Sequence, residues 1–250
     1  MLRKRLLKIL LMKGSDRMRV LGIGAHPDDL EINCGGTLAR YFQTGHQVTM
    51  AHACSGDKGH FTTEPSELAQ IRAQEGQKAA ALIGAESFWL GFDDGEIEGS
   101  LENRKIYIDF LRQVQADIVF THSPVDYHAD HMAVSRMVVD AAFMSTVPYI
   151  KTRHPALTKI PQIYFIEPYG GVHFEPEVFV DISAAFDLKM EMMSSHQSQV
   201  VWLKAHDATD ILEYIQVTAR YRGFQCGKLY AEGFIRHQAS LKGLTERLLP

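Results

Sequence analysis

The sequence predicts an α/β fold in one domain, a mostly parallel sheet flanked by helices on both faces. Three observations predict it. Short apolar runs rich in Val, Ile and Thr alternate four times with helix-period segments between residues 20 and 144. The connections between them are short, as parallel β-α-β units require. The chain of 250 residues, 46% of them hydrophobic, can fill one sizeable core, and it contains no internal repeat or low-complexity linker.

The elements follow in order. Residues 20–23 form the first strand, and residues 35–44 a helix closed by Gly45 as a C-cap. The second strand covers 47–53, and the glycine-containing polar stretch 54–65 is a loop at its end. Leu68, Ile71, Ala79, Leu82 and Ile83 recur near a 3.6-residue period, which predicts a helix over 66–83, ended by Gly84. A third strand at 86–90 leads into an acidic turn. A helix at 101–115, a fourth strand at 118–121, the loop HSPVDYHADH and a helix at 132–144 follow. Beyond residue 150 the alternation loosens, with strands expected at 162–166 and 178–182 and helices at 184–195 and 205–219. A doubly wound order 3-2-1-4 makes the first and fourth strands neighbours, and ligands bind in the crevice at their carboxyl ends.

Composition narrows the function. A net charge of -4 gives no electrostatic footprint for nucleic acid. Three scattered cysteines, Cys34, Cys54 and Cys226, provide neither a disulfide framework nor a Cys-x-x-Cys zinc site, which fits a reducing, cytoplasmic setting. The basic, apolar start MLRKRLLKILLM is too short to span a bilayer, is broken by Lys8, and lacks a small-residue cleavage site. Residues 1–17 read as an appended segment, a mis-assigned start ahead of Met18, or a peripheral amphipathic helix. The domain proper is 18–250. A membrane partner is not expected, and a homo-oligomer is left open.

The chemistry concentrates at GAHPDDLEINCGG, residues 24–36, directly after the first strand. Buried carboxylates cost several kcal/mol unless paired, so His26, Asp28 and Asp29 at a strand end call for a cation. Histidine and aspartate suit Zn2+, or Fe2+ in a two-histidine, one-carboxylate site. The fourth strand's loop brings Asp126, His128, Asp130 and His131 to the same crevice. His26, Asp29 and His131 make a three-ligand set with room for water, the form of catalytic zinc sites. Asp28 could then take a proton from that water. His128 could donate to an oxyanion or protonate a leaving amine. Asp130 or Asp126 could hold a histidine's other ring nitrogen.

Plainer readings exist for each. Aspartates at 28 and 29 also suit a helix-capping turn, and a loop histidine at 128 can simply bond a carbonyl. Arg72 and Glu75 have the spacing of an ordinary helix pair, Asp94 precedes Gly95 in a turn, and His122 reads as a satisfied strand-end histidine. The juxtaposition of HPDD and HADH at neighbouring strand ends favours metal. GIGAHP places Pro27 where a dinucleotide loop needs its third glycine, which disfavours a nucleotide-binding oxidoreductase.

AHPDD followed by CGGT, with the later HADH, resembles the LmbE / PIG-L family of zinc-dependent de-N-acetylases. Further matches are Arg72-x-x-Glu75, the LGFDDG turn at 90–95, VDIS at 180–183, HQSQ at 196–199 and YAEGF at 230–234, so the resemblance spans about residues 18 to 235. It implies a Rossmann-like fold and removal of an acetyl group from a small N-acetylglucosamine-type sugar or conjugate. It implies His26, Asp29 and His131 as metal ligands, Asp28 as base, His128 as transition-state stabiliser, and Arg72 and Asp94 as substrate-binding positions. Leu30 stands where many members carry Glu, and Glu31 follows it, as in a branch resembling bacillithiol-pathway deacetylases. Two alternatives remain: cleavage of a larger amide in a sugar or thiol conjugate, and a non-catalytic metal- or sugar-binding module. Retention of both Asp28 and His128 argues against the latter.

Overall fold

A computed structural model describes residues 17–238. The reading of residues 1–17 as an added segment therefore lies, except for Arg17, outside the described residues. Strands β1 (Arg19–Gly24), β2 (Gln47–Cys54), β3 (Glu86–Phe92), β4 (Ile118–His122), β5 (Gln162–Ile166), β6 (Val178–Asp181) and β7 (Ala231–Arg236) form one sheet of order 3-2-1-4-5-7-6. β1 pairs in parallel with β2 and β4, and β4 with β5; β7 runs antiparallel between β5 and β6. The order 3-2-1-4 and the adjacency of β1 and β4 follow the sequence-based expectation.

Eight helices among the described residues complete the fold: α1 (Asp29–Asn33), α2 (Gly35–Gln43), α3 (Pro65–Leu82), α4 (Leu101–Val114), α5 (Ala129–Met144), α6 (Phe186–Ser194), α7 (Gln197–His206) and α8 (Ile211–Cys226). Alternation along the central strands feeds two cores. Val20, Ile118 and Phe120 pack on one face with Leu38, Tyr41, Tyr164 and Phe234. Leu21, Ile23 and Val119 pack on the other with Tyr107, Leu111, Val138 and Ile163. Strands buried on both faces read as near-continuous apolar runs, and that is why β1 and β4 stand out in the sequence.

The departures from expectation have local causes. α5 starts three residues earlier than expected, because His128 is its N-cap and the His128 side chain accepts from the Asp130 N–H. The helix expected at 205–219 is two helices. Asp210 caps α8 by accepting from Leu212 N and Glu213 N, and α7 ends at His206. α1 is a single turn inside the stretch read as a loop, and β7 is a strand the periodicity did not show. Gly36 on α2 lies so close to Ile182 that an added Cβ would come within 2.7 Å, so the glycine permits this helix-to-sheet contact. No helix among the described residues is long and apolar enough to cross a membrane.

Candidate metal centre

β1 delivers His26 and Asp29 to the carboxyl edge of the sheet, and the segment after β4 delivers Asp126 and, in the first turn of α5, His131. Asp29 turns back on its own strand: Ala25 N and His26 N donate to Oδ2 at 3.0 and 2.6 Å. That leaves Oδ1 facing His131 Nε2 at 3.3 Å. His26 Nδ1 stands 3.6 Å from Asp29 Oδ2. The ligand atoms of His26, Asp29 and His131 all lie within 4.8 Å of one another.

Each histidine's second nitrogen is tied to a carboxylate. His26 Nε2 is 3.1 Å from Asp130 Oδ2, and His131 Nδ1 is 3.2 Å from Asp126 Oδ1. Carboxylates on the far nitrogen fix ring orientation and make imidazole a better ligand. The residues thus fit a divalent cation: two oriented imidazoles and one carboxylate oxygen converge, and the ion pairs that Asp29 makes among the described residues are all with histidines.

The electrostatics agree. Burial opposes a charge on His26 and His131, but their carboxylate partners outweigh it and raise them to about 9 and about 10. Burial likewise opposes ionisation of Asp29, yet the His131 charge and the His122 hydrogen bond hold it well below the usual carboxylate range. Burial raises Asp28 to about 6, with the Arg72 charge opposing. The Asp28 backbone sits at φ 135°, a left-handed geometry costing roughly 1–3 kcal/mol in a non-glycine residue.

Arg72 is buried directly behind Asp28. It donates to Asp28 Oδ1 at 3.1 Å and to the carbonyls of Pro27 and Gly56 at 2.6 and 3.2 Å. Asp94 accepts from Gly56 N and Lys58 N, and stands 3.9 Å from His26 Nε2. Asp94 thus fixes the loop after β2 against the cluster, and Arg72 meets Asp28. His128 lies with its ring 4.8 Å from those of both His26 and His131. Its Nδ1 accepts from Asp130 N, so the neutral ring carries its proton on Nε2. Burial, together with the charges of His26 and His131, lowers its pKa and keeps it neutral.

Sequence reasoning passed over three residues. His122 does more than end a strand: its ring stacks on His131 at 3.9 Å, and its Nε2 is 3.1 Å from Asp29 Oδ2. Ala25 N donates to His122 Nε2 at 2.9 Å as well as to Asp29 Oδ2 at 3.0 Å, so one backbone amide joins the pair. His52 donates from Nδ1 to His26 O, and buried His196 pairs with buried Glu31 at 3.1 Å. A histidine closing a strand beside HPDD was the only signal available for His122.

The fold and the cluster define a class: α/β proteins with a cluster of histidines and carboxylates, fit for a divalent cation, at the switch point of a parallel sheet. The family model PIG-L, described as GlcNAc-PI de-N-acetylase, matches residues 21–142, in keeping with the LmbE/PIG-L resemblance carried by the motifs. The chain is 28% identical over 226 residues to the diacetylchitobiose deacetylase of Thermococcus kodakarensis, covering 88% of this chain and 83% of that protein. The structure of the N,N'-diacetylchitobiose deacetylase from Pyrococcus horikoshii superposes with a TM-score of 0.78 at 26% identity, covering 94% of this chain and 91% of that one. The 4-oxalmesaconate hydratase of Pseudomonas putida is 23% identical over 249 residues, 91% of each chain.

Proposed function

We propose that this chain is a zinc-dependent hydrolase that removes the N-acetyl group from an N-acetylglucosamine-type sugar or conjugate and releases acetate. The convergence of His26, Asp29 and His131, with Asp28 next to Asp29 in the chain and the His128 ring 4.8 Å from that of His26, carries this reading. His26, Asp29 and His131 would hold the ion. Bound zinc supplies a nucleophilic water at neutral pH and polarises the amide carbonyl.

The chain's own groups do the proton work. A carboxyl raised to about 6 is ionised at neutral pH yet basic enough to accept a proton, and Asp28 fits that requirement. Arg72 holds it in place from behind. His128, neutral and protonated on Nε2, donates to the oxygen that gains charge as the carbonyl becomes tetrahedral. The C–N bond then breaks as Asp28 returns the proton it took from water to the leaving amine, and acetate is the second product. Asp130 and Asp126 orient His26 and His131, while Asp94, 3.9 Å from His26 Nε2, would meet a sugar hydroxyl at the cluster.

The hydratase among the relatives suggests a counter-reading, water addition to an unsaturated polycarboxylate. Asp94, Asp126 and Asp130 crowd the cluster, and Arg72 is committed to Asp28, so these surroundings favour a neutral sugar over a polyanion. The test is acetate release from N-acetylglucosaminyl substrates after zinc loading, with 4-oxalmesaconate in parallel. Turnover should vanish with chelator and return with zinc. Activity untouched by metal removal, or water addition to 4-oxalmesaconate in place of acetate release, would sink the proposal.

A further inference from the structure

Between α3 and the β2–β3 edge of the sheet lies a cavity of 210 Å³ that reaches the back of the metal loop. Ala69, Ala73 and Gly76, at i, i+4 and i+7 on α3, line one wall. His52 on β2 and Trp89 on β3 are register partners, so both project from one face of the sheet and line the opposite wall. The exposed Trp89 ring is fixed by its Nε1–H, which donates to Phe92 O at 3.0 Å. Small residues on the helix facing a strand and an indole make a slot that suits a flat apolar body.

Three buried polar side chains give the slot its chemistry. His52, Ser55 and Arg72 all line it, and they are 4%, 7% and 3% exposed. His52 Nε2, Ser55 Oγ and Arg72 Nε have no hydrogen-bond partner among the described residues. Each buried polar atom left unpaired costs about 1–3 kcal/mol, so three at one cavity mark where the polar edge of a ligand is met. Their roles differ. His52 Nδ1 donates to His26 O, and burial keeps the ring neutral, so Nε2 is an acceptor. Arg72 Nε only donates, and the Ser55 hydroxyl does either. The slot therefore matches a group that takes one hydrogen bond and gives another. A carboxylate would meet the His52 lone pair without a proton to offer it, and an ammonium would meet the Arg72 charge.

We infer that this cavity binds a small uncharged planar amide, its carbonyl on Arg72 Nε and its N–H on His52 Nε2, and that the occupied cavity lowers turnover. The same two side chains hold the metal loop: Arg72 Nη2 donates to Pro27 O and Asp28 Oδ1, and His52 holds His26 O. A hydrogen bond drawn from Nε pulls the guanidinium toward the cavity and loosens its hold on Asp28. The turnover effect rests on the de-N-acetylase reading; the binding does not.

Benzamide is the probe, with acetophenone as a match of nearly equal shape that lacks the N–H donors, and benzoate as the charged match. Binding to the metal-free protein is measured by calorimetry. Ala73→Phe fills the slot from an exposed position on α3, and Ala69→Phe does so one turn earlier should the first variant fail to fold. Benzamide should bind at least about tenfold more tightly than either match, the worth of one buried hydrogen bond, and both variants should abolish that binding. With zinc-loaded wild type, saturating benzamide should lower kcat for acetate release at least about fivefold and leave KM unchanged. The variants should turn over normally and resist benzamide. Acetophenone or benzoate binding as tightly as benzamide, or benzamide binding untouched by the variants, would overturn the site. Binding with kcat unchanged would overturn the control of turnover. Variant-sensitive benzamide binding with no acetate released from any substrate would uphold the site and reject the deacetylase reading.

Discussion

Asp28 combines a strained backbone, a buried carboxylate and a buried arginine partner. Such strain persists only where surrounding contacts impose it: Ile32 N donates to Asp28 O at 3.0 Å, and Arg72 grips both Pro27 and Asp28. Asp28→Asn keeps the shape and tolerates the positive φ, but cannot accept a proton at neutral pH. Its turnover should fall by about 10²–10⁴-fold in protein that remains folded, with a lower urea midpoint because buried Arg72 keeps a hydrogen bond but loses its counter-charge. Wild-type turnover in the Asp28→Asn enzyme would remove Asp28 as the base. The ligand histidines give a pH prediction of definite sign. With folded values raised to about 9 and about 10, His26 and His131 are both protonated at pH 7 in the metal-free protein. A protonated imidazole cannot ligate, so metal uptake must expel protons, and affinity must climb as pH rises toward 9. Calorimetry of zinc binding at pH 7 in buffers of different ionisation enthalpy should report proton release, and none would contradict the arrangement. At this scale the sequence was informative because residue type and spacing carry the chemistry: His26, Asp29 and His131 were legible from HPDD and HADH alone. His122 and His196 were not, because their contacts with Asp29 and Glu31 join residues 93 and 165 positions apart, which no local pattern records.

Between elements, the motifs quoted from the sequence prove to lock onto one another. Glu75 on α3 accepts from Ser198 N and Oγ at the start of α7, at 2.8 and 2.6 Å. Gln199 donates to Gly59 O in the loop after β2. Glu232, near the start of β7, accepts from Gly36 N and Thr37 N at the start of α2, at 2.9 and 2.7 Å, and pairs with Lys189 on α6. A carboxylate at a helix N-terminus satisfies donors the helix leaves open and meets the positive end of its dipole. Lys189 also donates to Ile32 O at 2.7 Å, so one buried pair ties α1, α2 and α6 to the sheet beneath the metal loop. Lys189→Met would leave Glu232 buried without its cation and should cost about 3–5 kcal/mol in urea unfolding. Adding Glu232→Gln to that variant should restore part of the loss, and an unchanged double variant would show that the charge is not the cause. In sequence, YAEGF at 230–234 stood only as a motif match, and AEGFIR mixes charged, small and glycine residues without an apolar run, so β7 stayed hidden. The start of α5 was hidden for a related reason: a histidine cap and a helix-first-turn aspartate look like loop residues until the fold shows where the helix begins.

For the whole molecule, the metal cluster joins segments that the chain supplies about a hundred residues apart, one after β1 and one after β4. Without a cation, Asp29 is balanced by protonated His131 and His26, and these two contacts weaken as the rings lose their protons. A cation bound by the folded state alone stabilises it by about 2.7 kcal/mol when its concentration is about 100 times the dissociation constant. In a chain of this size each kcal/mol shifts Tm by about 2–4 °C, so saturating zinc should raise Tm by roughly 5–10 °C over the chelated protein. The gain should be larger at pH 8 than at pH 6, because the ligand histidines compete less with protons as pH rises toward their folded values. His131→Ala deletes one ligand and the link to α5 together, so its Tm should no longer respond to zinc. Asp28→Asn keeps all three ligands and should retain the full response. That pair of variants separates a cation bridging the two segments from zinc held loosely by surface histidines such as His60 or His206: surface binding would leave the His131→Ala response intact.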